Sequence, residues 1–179
     1  LMNDENNKNS ISQNCIKAFY NDNSGNLWVG TYLGGIDVIN LNTGKIEHFK
    51  YDPEKEGTLS DNRVWDIYGD KNGEIWVATS RGVDRFDRAS KSFKHYPQIC
   101  GEEQVSWIEP DSKGNIWFGD RDTGAWRFDG KEMKNFVVDA TLRSQHIWDI
   151  YEDKYGNLLF AMAERGIYLF NGKGFERVL

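Results

Sequence analysis

Four aspartates, Asp22, Asp70, Asp111 and Asp153, each stand three residues ahead of a glycine: Gly25, Gly73, Gly114 and Gly156. Acids at a fixed, recurring spacing have two common uses. They ligate a cation, or they hold a turn by accepting hydrogen bonds from its backbone. The glycine decides for the turn, because it takes the left-handed conformation that a Cβ resists. Acids spent on their own turns make poor metal ligands, so no metal or other cofactor is expected. A second group is Tyr32, Arg81, Asp120, Arg121, Asp122, Arg143, His146, Glu164 and Arg165. It lies in segments whose sequence changes from one D-x-x-G stretch to the next. Arginine and aspartate suit sugar hydroxyls or acidic sugars, and an aromatic ring stacks on a sugar face. Tyr32, Arg81, Asp120, Arg121, Asp122, Arg143 and Arg165 form the expected ligand-binding set, while His146 is read as linker surface.

Other chemistry finds little support. The histidines His48, His95 and His146 are read as falling at unrelated positions, so neither a catalytic triad nor a metal cluster is predicted. Cys15 and Cys100 lack metal or redox spacing and are expected to be buried thiols. A net charge of −6 opposes a nucleic-acid partner. No apolar run reaches membrane-spanning length. The chain opens Leu1–Met2 and is read as a piece of a longer protein, so the missing leader says little about compartment.

The elements that must position these residues follow from repetition. The phrases "YNDNSGNLWVGT", "YGDKNGEIWVAT", "EPDSKGNIWFGD" and "YEDKYGNLLFAM" bring their central glycines 48, 41 and 42 residues apart. A period near 40 with strand-like content marks propeller blades. Gly, Asn and Asp punctuate the chain too often for stable helices, and the intervening segments are rich in Ile, Val, Phe, Tyr and Trp. The predicted fold is all-β, with four blades of four antiparallel strands, as part of a larger propeller. The blades are placed at 14–50, 62–97, 104–138 and 145–179. A polar lead-in occupies 1–13, and linkers occupy 51–61, 98–103 and 139–144. D-x-x-G joins the first and second strands of each blade. Runs such as "IWVA" are apolar at consecutive positions, which implies burial on both faces. Trp28, Trp76 and Trp117 are expected to fill the gap between blades, with Leu159 in the fourth. Gly30, Ala78, Gly119 and Ala161 are expected to leave room for the neighbour.

"GNLWVGTYLGGIDVIN" (25–40) and "YDPEKEGTLSDNRVWDIYGD" (51–70) resemble the two-component regulator propeller repeat, and the resemblance extends over about 11–179. It implies the periplasmic sensor region of a hybrid two-component histidine kinase, responding to oligosaccharides from polysaccharide breakdown. This chain itself would be no enzyme. A protein-interaction propeller and a streptogramin-lyase-like enzyme are the alternative readings. The third repeat departs from the pattern with Asp120 for Thr and a shortened linker, and the fourth with Leu159 for Trp.

Alternating strands send alternate connections to opposite ends of a blade. One end carries the uniform D-x-x-G turns and reads as scaffold. The other carries the variable loops 31–34, 79–81, 120–123 and 162–165 with the linkers, where function usually lives. Trp65, Trp107 and Trp148 lie on the innermost strands and are expected mainly to pack, otherwise to line the central channel. Terminal blades expose apolar faces, so the chain is expected to self-associate, as two half-rings.

Overall fold

The computed structural model describes residues 1–99 and 104–178. Among these the secondary structure is entirely strand and turn. The strands form four antiparallel sheets of four, each a meander in chain order. The first sheet holds β1 (Ile16–Asn21), β2 (Asn26–Thr31), β3 (Ile36–Asn40) and β4 (Ile46–Phe49). The second holds β5 (Val64–Gly69), β6 (Ile75–Thr79), β7 (Gly82–Asp87) and β8 (Ser92–Tyr96). The third holds β9 (Val105–Pro110), β10 (Ile116–Asp120), β11 (Ala125–Phe128) and β12 (Met133–Phe136). The fourth holds β13 (Ile147–Glu152), β14 (Leu158–Met162), β15 (Gly166–Phe170) and β16 (Phe175–Arg177). Two compact units divide them, Leu1–Tyr96 with the first two sheets and Pro97–Leu179 with the last two.

In the first unit, the consecutive apolar run of β2 is buried because β5 of the next sheet lies against it. Trp28, Val64 and Ile67 share one core with Phe86 and Phe93. Trp28 meets Phe86 edge-on at 5.0 Å and stacks on Phe49 at 6.2 Å. Gly30 permits this approach: a Cβ there would stand 2.6 Å from Val64 Cγ1. The second unit repeats the arrangement. Trp117 on β10 is fully buried against Phe136, Phe160 and Phe170. A Cβ on Gly119 would lie 2.9 Å from Ile147 Cγ2 of the next sheet.

The D-x-x-G turns form as the sequence implies. Asp22 Oδ1 accepts from the backbone N–H of Ser24 and Asn26 at 2.9 and 3.1 Å, and Gly25 sits at φ +84°. Asp70, Asp111 and Asp153 hold their turns in the same way, with Gly73, Gly114 and Gly156 at φ +81°, +85° and +82°. The second carboxylate oxygen has a further use that spacing alone did not reveal. It accepts the indole N–H six residues on, from Trp28 at 3.3 Å, Trp76 at 3.4 Å and Trp117 at 2.9 Å. The acid thus fixes both the hairpin and the ring that fills the core. In the fourth sheet Leu159 has no such proton to give.

Two expectations are corrected here. His48 and His95 do not fall at unrelated positions. Across β3–β4 and β7–β8, Asp37 faces His48 and Asp84 faces His95 in matching registers. Each aspartate is fully buried and meets the histidine Nδ1, at 2.7 and 2.8 Å. Each also clasps the segment that leads into its sheet. Ser12 gives Asp37 its N–H and hydroxyl at 2.7 and 2.6 Å, and Ser60 gives Asp84 the same pair at 2.8 and 2.9 Å. Cys15 is exposed rather than buried, in the short segment just before β1. Cys100 and most of the 98–103 linker lie outside the described residues. The polar lead-in forms no strand, but its Ile11 is buried with Val29, Ile39 and Ile46.

Candidate ligand-facing loops

The meander separates two ends in each unit. At the uniform end of the first unit, Arg88 from the β7–β8 turn donates Nε–H to Gly73 O at 2.9 Å and Nη1–H to the Asp22 carboxylate at 3.1 Å. Turns of adjacent sheets are thereby locked together. At the opposite end, the variable loops meet the linkers. Gly35 N–H donates to Asn62 O at 3.0 Å and Ser80 N–H to Arg63 O at 3.2 Å. In the second unit Ser144 Oγ donates to Arg121 O at 2.7 Å, and Ala163 N–H to His146 O at 2.9 Å. Gln145 is buried and uses both ends of its amide to bind the backbone of the linker, at Val138, Asp139 and Leu142. The segment carrying Arg143 is therefore rigidly presented.

A feature shared by all four sheets shapes this end. The first strand breaks register once, between Ile16 and Ala18, Val64 and Asp66, Val105 and Trp107, and Ile147 and Asp149. The extra residues are Lys17, Trp65, Ser106 and Trp148. A bulge bends its strand and re-aims a side chain, and bulges cluster beside functional sites. All four stand five residues before the D-x-x-G aspartate, a spacing that could have flagged them. Trp107 is thus not the counterpart of Trp65 and Trp148. It faces Gly119 across the strand pair and packs on the core of its unit. Trp65 is half-buried, with its indole N–H on Ser80 Oγ at 2.8 Å. Trp148 is 57% exposed and lies 4.5 Å from the His146 ring.

In the first unit the loops and the bulges build one connected surface. Tyr32 meets Trp65 edge-on at 5.6 Å, and the Lys17 ammonium stands 5.3 Å from both ring centroids. Arg63 grips Asp61 through Nε and Nη2 at 2.9 and 2.8 Å. Arg81 lies 3.9 Å from the same carboxylate and over the Tyr51 ring at 5.4 Å. Burial works to raise the Asp61 carboxyl, but the Arg63 contacts and the Arg81 charge outweigh it and hold the group below the usual range. Tyr32 and Arg81 of the expected set are therefore brought into one surface, with Lys17, Trp65, Arg63 and Tyr51 added by the fold.

In the second unit Arg143, His146, Glu164 and Arg165 line an open depression of about 500 Å³ with Thr141, Leu142, Ser144 and Ala163. Arg121 and Asp122 are half-buried beside the linker they bind. Asp120, also of the expected set, is fully buried and turned into its own loop. It accepts the Asp122 N–H at 2.8 Å and the Thr123 hydroxyl. Thr31 and Thr79 do the same work in the first two sheets, accepting from Gly34 N–H at 2.9 Å and Arg81 N–H at 3.1 Å. The departure of the third repeat thus takes over the loop-holding role of those threonines.

The Asp37–His48 pair is not arranged as a Ser–His–Asp relay. His48 uses the same ring nitrogen toward Asp37 and toward Ser12 Oγ, which is 3.1 Å away, so no second nitrogen faces the hydroxyl. Its Nε2 faces Lys8 O at 2.9 Å.

Comparison with known proteins agrees with the architecture. Residues 10–33, 58–81 and 141–164 match the two component regulator propeller family. The third repeat falls outside the matched segments, in keeping with its altered loop and linker. The extracellular domain of a hybrid two component system from B. thetaiotaomicron superposes with a TM-score of 0.77 at 26% identity, over 93% of this chain and 24% of that one. Virginiamycin B lyase from Staphylococcus aureus superposes with a TM-score of 0.72 at 17% identity, over 92% of this chain and 56% of that one. An ancestral GH74 enzyme does so at 0.74 and 12%, over 92% of this chain and 24% of that one. The two enzymes share the propeller-blade fold alone. The chain spans about a quarter of the length of the two component protein's domain and just over half of the lyase. No curated protein matches the sequence.

Proposed function

We propose that this chain, which carries two component regulator propeller repeats, is a segment of the ligand-sensing propeller of a hybrid two-component sensor, acting outside the cytoplasm and responding to an oligosaccharide. The observation that carries the reading is the asymmetry of the two ends. One end is uniform turn, closed by its own acids. In each unit the other end gathers arginines and exposed aromatic rings on its loops, and the bulges of the first strands turn Lys17 and Trp65 to it in the first unit and Trp148 in the second. Rings with a few placed polar groups are the composition of a saccharide site. The extracellular domain of the B. thetaiotaomicron hybrid two component system supports the location and the signalling context. The sensing role asks no catalysis of this chain, and the kinase would belong to the parent protein.

Calorimetry against a panel of oligosaccharides tests the reading. Arg81→Ala or Arg143→Ala should weaken binding by about fivefold or more while the melting temperature holds, as expected for loss of one exposed charged contact. Asp70→Ala should act through stability instead. Binding untouched by either arginine change, yet lost in a folded Asp70→Ala chain, would exchange the roles of the two ends.

A further inference from the structure

The surface around Lys17 and Arg81 in the first unit carries an imbalance of charge. Lys17, Arg63 and Arg81 share it with one acid of their own network, Asp61. That acid is committed, since Arg63 reaches it with Nε, Nη2 and its backbone N–H at 2.9, 2.8 and 2.8 Å. Arg81 stands off at 3.9 Å, and its side chain is 59% exposed. Among the described residues no carboxylate pairs with Lys17; its partners are the rings of Tyr32 and Trp65. The chain as a whole is acidic, at −6. Cations left open on an acidic protein, between aromatic rings, mark a place prepared for an anion.

We infer that this face binds an acidic sugar through its carboxylate. The inference rests on the saccharide-sensing reading above and names the class of saccharide. Arg81 presents a planar fork that matches a carboxylate edge to edge. The Tyr51 ring beneath it keeps the guanidinium in place. Lys17 adds a second positive charge, held over Tyr32 and Trp65 by attraction to their faces. The Ser80 hydroxyl, which holds the Trp65 indole at 2.8 Å, belongs to the residue next to Arg81 and so ties the ring beneath Lys17 to the loop that carries Arg81. Tyr32 offers its exposed ring to the sugar. A neutral sugar would use the ring and bring neither cation a carboxylate.

The test titrates the whole chain by NMR with methyl β-D-glucuronide, methyl β-D-glucoside and sodium acetate. The glucuronide should saturate, the glucoside should bind about tenfold more weakly, the size of one charge-assisted contact, and acetate should bind more weakly still. Raised ionic strength should weaken the glucuronide alone. Arg81→Gln and Lys17→Met should each remove most of the glucuronide preference without shifting the unfolding midpoint. Equal affinity for the two sugars, weakened by Tyr32→Ala, would overturn the acid preference and leave the saccharide-sensing reading standing. Acetate binding as tightly as the glucuronide would reduce the face to a bare anion site and overturn the inference. Absence of binding to either sugar would overturn it together with a saccharide site on this unit.

Discussion

The behaviour of single residues follows from two kinds of strain. Gly73 lies at φ +81° with nothing within 4 Å of where a Cβ would stand, so only its backbone conformation resists substitution. Gly73→Val should therefore lower stability by about 1–3 kcal/mol, read from urea unfolding, with the loop end unaffected. An unchanged midpoint would mean that the turn tolerates a β-branched residue at positive φ. Asp22 reports on charge. Burial works to raise its carboxyl, but Asn26, the Ser24 N–H, Trp28 and Arg88 outweigh it and hold the group at about 2, below the ordinary 3.8. The folded state thus favours the charged form. Its stabilising contribution is complete above 3.8 and is lost as the pH falls toward about 2. Asp22→Asn should flatten the acid limb of the stability curve in that window. An acid limb of the same steepness in the variant would assign the sensitivity to other carboxylates.

At the scale of elements, one blade is held by the coupling of a hairpin turn to a ring. Trp117 is fully buried among Phe136, Phe160 and Phe170, and its N–H reaches the Asp111 carboxylate at 2.9 Å. Trp117→Ala should cost about 3–5 kcal/mol, measured by denaturant unfolding. Trp117→Phe should cost less, because it keeps most of the packing and loses the hydrogen bond. Equal losses would show that the Asp–Trp bond matters more than the ring. The first strands show a different division of labour. Their alternation packs Val64 and Ile67 on the neighbour, and the bulged residue between them, Trp65, is released to the loop end.

The first unit presents an unfinished surface. Phe19 is 74% exposed and Ile16 39% on β1, where their counterparts Ile67 and Val64 on β5 are buried. A sheet face built for a neighbour is thus open to water. Such faces associate. In solution the chain is expected to show a mass above 20.7 kDa that rises with concentration, by light scattering after size exclusion. Phe19→Glu should return it toward 20.7 kDa without loss of fold. A single species of that mass at every concentration in the unaltered chain would refute the expectation.

The sequence by itself determined the number of blades, the strands in each, the D-x-x-G turns and the tryptophans that fill the core. All of these rest on local contacts, such as an acid to backbone two and four residues on, or on a period that repeats in plain view. The direction of Lys17 and Trp148, the withdrawal of Asp120 into its loop, the exposure of Cys15 and the matched Asp–His pairs were decided only by the tertiary structure. Their cause is cross-strand register and the return of a linker onto its sheet, as when Ser12 meets Asp37 and Ser60 meets Asp84 at separations of 25 and 24 residues. A bulge of one residue reverses which face a side chain takes, and only its constant place five residues before the D-x-x-G aspartate hints at it in the sequence. The scaffold end was therefore legible in the sequence, while the surface of the loop end was assembled by the fold.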